Sequence, residues 1–259
     1  MSKPPPRRTA LINRNTNETK VQVSLSLDGG PLDPLPDNAD FSAESVAPNA
    51  PIPAQTTNHH ASQLKGSQQI WIWTGIGFLD HMLHAWSKHA GWSLRVRCRG
   101  DLASTSSPFS ISSIEFFKSS SAATVDDHHT TEDTFLALGT AFTSALGPRT
   151  GLARFGHCYA PLDEALSRAV LDISSRPFFV GNFDFAAPMI GQLNSQMVHH
   201  GLSSWAMAAG VTLHVDVIRG SNDHHRAESA FKALAGACRM ACARIEGREG
   251  EVGSTKGVL

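Results

Sequence analysis

Two copies of one motif carry the chemistry in this chain. The first is Asp127-His128-His129-Thr130-Thr131-Glu132, and the second is Asp223-His224-His225-Arg226-Ala227-Glu228. On a helix the first His and the Glu of each copy stand four residues apart, and the second His and the Glu three apart. Both pairs can therefore converge on one face. Two imidazoles and a carboxylate make a borderline donor set suited to Zn, Mn or Fe. Solvated helix starts with capping acids would use the same residue types. Duplication within one chain points instead to a repeated unit that builds a two-metal site.

The elements that must position these motifs also repeat. Thr19 to Leu27 alternates as a strand and ends at Asp28-Gly29-Gly30. Phe78 to Lys88 has helical spacing, and Trp92 to Cys98 alternates as a strand. Thr131 to Leu146 reads as a helix stopped at Gly147-Pro148, with Phe135, Leu138 and Phe142 on its apolar stripe. Ala169 to Ile173 and Thr212 to Ile218 read as strands, Gln196 to Ala209 and Arg226 to Ile245 as helices. His81 to Gly91 then matches His200 to Gly210, with Trp86 opposite Trp205 and Ala90 opposite Ala209. The order helix, strand, metal motif, helix occurs twice. This equivalence raises His81 and His200 from ordinary core histidines to candidate ligands. His59, His60, His84, His89, His157, His199 and His214 read as ordinary histidines. Trp71 and Trp73 read as packing residues.

The two repeats differ in one place. The interval from His81 to His128 exceeds that from His200 to His224 by 23 residues. The excess falls in the Ser-rich stretch 102–125, which is either a surface loop or retained intron sequence. Pro31 to Gln69, rich in Pro, Asn, Ser and Ala, reads as a poorly ordered insertion. The expected division is a disordered tail over 1–8, a first half over 9–147 with inserts 31–69 and 102–125, a second half over 148–248, and a C-terminal tail over 249–259.

Composition excludes several classes. The chain of 259 residues is 41% hydrophobic and 17% charged, as in ordinary globular proteins. A net charge of -1 gives no footprint for nucleic acid or an anionic membrane. No apolar run approaches the roughly 20 residues that span a bilayer. The basic, proline-rich start lacks the apolar stretch of a secretory signal. Cys98, Cys158, Cys238 and Cys242 read as free thiols, and Cys238 and Cys242 as helix packing. A cytoplasmic location is expected.

At this point several long segments resemble one family. GIGFLDHMLHA, DDHHTTEDTFLALG, APLDEALSRAVLDISSRPF, LHVDVIRGSNDHHRAESAFKALA and STKGVL resemble imidazoleglycerol-phosphate dehydratase, in its stand-alone fungal form. The resemblance implies an α/β (α+β) fold of duplicated half-domains, ferredoxin-like or like ribosomal S5 domain 2, each a four-stranded sheet backed by helices. It implies removal of water from D-erythro-imidazole-glycerol phosphate to give imidazole-acetol phosphate in histidine biosynthesis. The implied cofactor is Mn²⁺, two ions per active site, and the implied assembly is a homo-oligomer of 24 copies with sites at subunit interfaces. The implied metal ligands are His81, His128, His129, Glu132, His200, His224, His225 and Glu228. Glu18 matches the family's acid/base, and Asp163 would hold or orient a ligand. Arg154, Arg176, Lys232, Ser254, Thr255 and Lys256 match its groups for the substrate phosphate. His199, beside His200, departs from the family pattern as a competing imidazole. Two other readings stay open: a di-metal phosphoester hydrolase, and a metal-binding shell without turnover, should 102–125 displace the first motif.

Overall fold

Val21, Val23 and Leu25 are fully buried and alternate with the polar Gln22, Ser24 and Ser26, which makes β2 (Lys20–Ser26) a central strand. In the computed structural model, which describes residues 6–33, 41, 62–100 and 126–259, β2 lies between β1 (Thr9–Asn15) and β5 (Ser93–Arg99), antiparallel to both. β4 (Gln68–Trp73) pairs in parallel with β5, and β3 (Ser62–Lys65) forms the outer edge antiparallel to β4. The order is β1-β2-β5-β4-β3. The second sheet repeats this plan. β7 (Ala165–Asp172) is antiparallel to β6 (Phe155–Leu162) and to β11 (Thr212–Arg219), and β11 is parallel to β8 (Phe178–Asn182). Between β8 and β11, the short pair β9 (Met189–Ile190) and β10 (Leu193–Asn194) is added.

Each parallel pair is joined by a helix, α1 (Gly77–Ala90) between β4 and β5, and α3 (Gln196–Ala209) between β8 and β11. A second helix ends each half: α2 (His128–Leu146) and α4 (Asp223–Ala241). The duplicated α/β unit expected from the sequence is present. One strand count differs. The first sheet has five strands, because residues 62–69, read as part of a poorly ordered insertion, supply β3 and the start of β4. The expected tail over 1–8 also gives way at Arg8. Its guanidinium bonds the Asp28 carboxylate and the Cys242 carbonyl. The segment 102–125 lies outside the described residues.

Burial dictates how the halves meet. Helices α1 and α2 cover the first sheet, α3 and α4 the second, and the pairs α1–α4 and α2–α3 pack between the sheets. Positions related by the repeat meet in the middle. Trp86 and Trp205 touch edge to face at 4.9 Å, and Phe135 and Phe231 lie 6.4 Å apart. Aromatic pairs in such geometry add roughly 0.5–1.5 kcal/mol beyond the area they bury. Helices α2 and α3 approach closely at Gly139, where a Cβ would come within 2.7 Å of the Trp205 carbonyl and the Ala208 side chain. Cys238 and Cys242 belong to the packed core, and burial pushes the Cys242 thiol up to about 12.

Both helix pairs run parallel. His81 is beside Glu228 near the starts of α1 and α4, and Arg239 reaches the His89 carbonyl near their ends. Glu132 is beside His200 near the starts of α2 and α3, and the Thr143 hydroxyl reaches the Ala209 carbonyl near their ends. One segment, 186–195, gathers all four starts. The Ala186 and Ala187 amides donate to Asp223, the Gln192 side chain accepts from Gly77, and the Asn194 amide donates to Asp127. The segment then enters α3 at Gln196. Four positive helix ends on one side of the molecule favour anionic ligands there.

Candidate active site

Each His-His-x-x-Glu motif starts its helix, so its first His and Glu share a face one turn apart. The parallel packing then adds a histidine from the other half of the chain. His224 and Glu228 of α4 meet His81 of α1, and His128 and Glu132 of α2 meet His200 of α3. In each group one ligand atom per residue lies within 4.8 Å of the others. Glu228 Oε2 is 3.1 Å from His81 Nε2 and 3.3 Å from His224 Nε2. In the other group His200 Nε2 is 3.3 Å from Glu132 Oε1, and the rings of His128 and His200 are 4.6 Å apart. The first motif is therefore assembled like the second.

The donor set passes a test of fit for a divalent ion. His200 Nε2 is shielded from solvent and has no hydrogen-bond partner among the described residues, although Glu132 is near, because their directions do not match. A shielded nitrogen without a hydrogen-bond partner, set beside a carboxylate and a second imidazole, keeps its lone pair available to a cation that all three could share. Two imidazoles and one carboxylate leave several positions of an octahedral ion open.

The second histidines do not join these groups. The spacing allowed His129 and His225 to share a face with their Glu, but both rings turn away. His129 Nε2 faces Glu18 at 3.6 Å, and His225 Nδ1 bonds Glu164 at 2.7 Å. A step of one residue turns a helix by about 100°, so neighbouring histidines address different surfaces. Asp163 Oδ2 is 4.0 Å from His225 Nε2. Glu164 is a residue that sequence reasoning passed over. The β6–β7 turn occupies the place of the β1–β2 turn that carries Glu18, and that equivalence was the available signal. Its carboxyl is drawn down to about 2 by the His225 ring and by the Asn222 and Ser221 amides.

Among the described residues, His199 lies outside both His/Glu groups. Its ring packs on Phe179 at 4.9 Å and near Phe183, and burial, then His200, lowers its pKa. Asp80, next to His81, is buried and accepts from the Thr74 amide and hydroxyl at 2.8 and 2.6 Å. Burial dominates and pushes its carboxyl up to about 6. The bonds to Thr74 fix the first turn of α1 and so the direction of His81.

The expected phosphate groups divide into two places. Arg154 bonds Asp172 through two nitrogens at 2.7 and 3.1 Å and also donates to the Gly253 carbonyl, which brings Ser254, Thr255 and Lys256 beside it. Arg176 reaches the same Asp172 at 3.5 Å while its side chain stays 65% exposed. Arg154 and Ser175 adopt left-handed backbone, with φ of 70° and 53°. Such conformations cost on the order of 1–3 kcal/mol and persist where the surroundings fix them. Lys232 sits elsewhere, one turn after Glu228, and pairs with its Oε1 at 2.9 Å. Burial pushes the Glu228 carboxyl up, but Lys232 and His81 outweigh it and leave the pKa lowered.

The Arg154 place is far from the Glu228 group in one chain. The Arg154 amide donates to Ala241, thirteen residues beyond Glu228 on α4. At 1.5 Å per residue that is about 20 Å. A cavity of about 810 Å³ lies at the far end of the helices, lined in part by Arg7, Leu146, Thr150 and Arg244, away from both metal groups.

Residues 74–107 and 112–238 match the family model for imidazoleglycerol-phosphate dehydratase. The chain belongs to the imidazoleglycerol-phosphate dehydratase family. The enzyme of that name from Neurospora crassa is 51% identical over 255 residues, covering 98% of this chain and 97% of the relative. The Candida albicans enzyme is 50% identical, covering 97% of this chain and 98% of its own. The crystal structure of the Staphylococcus aureus dehydratase superimposes with a TM-score of 0.62 at 25% identity, covering 91% of this chain and 99% of that one. A Pyrococcus furiosus structure, 24% identical with a TM-score of 0.63, shares the fold. The family match contains the eight histidine and glutamate positions of both motifs and of His81 and His200. Among the described residues, no helix is long and apolar enough to cross a membrane.

Proposed function

We propose that the chain removes water from D-erythro-imidazole-glycerol phosphate to give imidazole-acetol phosphate, with two Mn²⁺ ions per active site. The observation that carries this reading is the paired assembly of two His₂Glu groups, each built across the repeat, in a chain of this family. His81, His224 and Glu228 would hold one ion, and His128, Glu132 and His200 the other. When bound, the ions supply Lewis acidity to the substrate ring and to the leaving oxygen.

The remaining work belongs to side chains. The C–H beside the leaving hydroxyl needs a base, and a carboxylate that can both take and return the proton serves both directions. Glu18 fits, since its side chain is 54% exposed and faces His129. Arg154, Arg176 and Lys256, with Ser254 and Thr255, offer charged and neutral donors for the phosphate. Lys232 holds Glu228 in place from its outer oxygen.

Three donors per group and a phosphate subsite about 20 Å from its own metal group both call for a second chain. We read His129 and His225, turned away from these groups, as ligands for ions of neighbouring copies, within a homo-oligomer of 24 subunits in the cytoplasm. A di-metal phosphoester hydrolase could use the same ligands, but family membership disfavours it. Product analysis separates them. The purified chain with Mn²⁺ is expected to yield the phosphorylated ketone from imidazoleglycerol phosphate and no inorganic phosphate. Stoichiometric phosphate release without ketone would overturn the dehydratase reading.

A further inference from the structure

We propose that Glu164 is a positioning residue that fixes the tautomer and direction of His225 as a metal ligand. The inference rests on the metal reading above. Glu164 divides its two oxygens between two tasks. Oε1 accepts the Ser221 and Asn222 amides at 3.1 and 2.9 Å, which anchors the loop that begins α4. Oε2 meets His225 Nδ1 at 2.7 Å. An ionised carboxylate can only accept, so Nδ1 carries the ring proton. The lone pair is then left on Nε2, the nitrogen on the side of Asp163. A carboxylate behind the far nitrogen of a ligating imidazole sets ring orientation and raises its basicity.

The first half shows a different choice at the equivalent turn. Glu18 faces Nε2 of His129 at 3.6 Å, and Asp163 faces Nε2 of His225 at 4.0 Å. Glu164 alone of these three takes a δ nitrogen. Glu18 and Asp163 therefore stand on the metal-facing side of their rings, where a proton can be exchanged with substrate. Glu164 stands behind the ring, where it can only orient.

Glu164→Gln isolates this role. The side-chain oxygen keeps both backbone amides, and the new NH₂ faces Nδ1. Nδ1 must then accept, which moves the ring proton to Nε2 and blocks coordination. Rotating the amide would set NH₂ against two backbone donors instead. The measurement is Mn²⁺ affinity by titration of the chelated full-length chain, with melting temperature alongside. The variant is expected to melt as the wild type does and to bind one of its two Mn²⁺ about 10–100-fold more weakly. Wild-type affinity at both sites in a folded variant would overturn the proposal. Should the variant fail to fold, ¹⁵N-imidazole spectra of the chelated wild type decide, with His225 assigned through His225→Gln. At a pH where the ring is neutral, a proton on Nδ1 alone supports the proposal, and a proton on Nε2 alone overturns it. A wild-type chain that binds no Mn²⁺ would instead overturn the metal reading on which it rests.

Discussion

Glu228→Gln is expected to lower bound metal and dehydratase turnover together. Glu228 is the hub of its group, since one oxygen faces both His81 and His224 and the other pairs with Lys232. Glutamine keeps the shape but removes the charge, and only one of its two terminal atoms can accept. Whichever way the amide turns, either the ion or Lys232 faces an NH₂ group. The ion loses its anionic ligand, and a largely buried ammonium loses its counter-charge. Lewis-acid stabilisation of the transition state amounts to several kcal/mol. A fall in kcat on the order of 10³-fold follows. Metal content per chain and steady-state kinetics check this. Normal turnover at normal metal content would remove Glu228 from the ligand set.

Two damaged chains are expected to rescue each other. Arg176→Ala with Lys256→Ala removes two cations from the phosphate subsite and leaves the metal groups intact. Hydrogen bonds to charged groups contribute about 1.5–3 kcal/mol each, so kcat/KM should fall on the order of 10²–10⁴-fold. Glu228→Gln is expected to lose turnover for the opposite reason. The two lesions lie at opposite ends of α4, about 20 Å apart, a span that a small phosphorylated substrate does not bridge. A working site must then take its phosphate arm from one chain and its metal group from another. When the variants are mixed after chelation and reassembled with Mn²⁺, about a quarter of the sites should regain both parts at random assortment. No rescue, with mixed assemblies demonstrated, would place the whole site in one chain.

Much of this arrangement is legible in the sequence. The four helices and the central strands β2, β5, β7 and β11 bury one face against the core, so their periodicity is strong. The edge strands were not read. In β1, alternation runs between exposed and half-buried positions, and its exposed Leu11 blurs the pattern. In β6 and β8 the outward residues are themselves apolar, with Phe155, Tyr159 and Phe178 more than half exposed. A two-residue period fades when both faces carry apolar side chains. β4 fails for the same reason, since Trp71 and Trp73 alternate with buried Ile70 and Ile72.

The candidate ligand positions stand out because of duplication. His81 is unremarkable alone and significant opposite His200. The partition of ligands was not legible. Spacing on one helix allows either histidine of each motif to join its Glu, and only the parallel packing of α1 on α4 and α2 on α3 selects His224 and His128. Separation of Lys232 from Arg154 and Arg176 likewise depends on the path of the second sheet along α4. Sequence separation carries no information about that path.

Metal dependence is the central claim, and reconstitution tests it most directly. Dehydration of imidazoleglycerol phosphate by the purified chain would be followed before chelation, after chelation, and after return of Mn²⁺, with bound metal counted at each stage. The expected result is loss of turnover with the metal and recovery as Mn²⁺ returns to two ions per chain. Undiminished turnover in a chain stripped of metal would contradict the account.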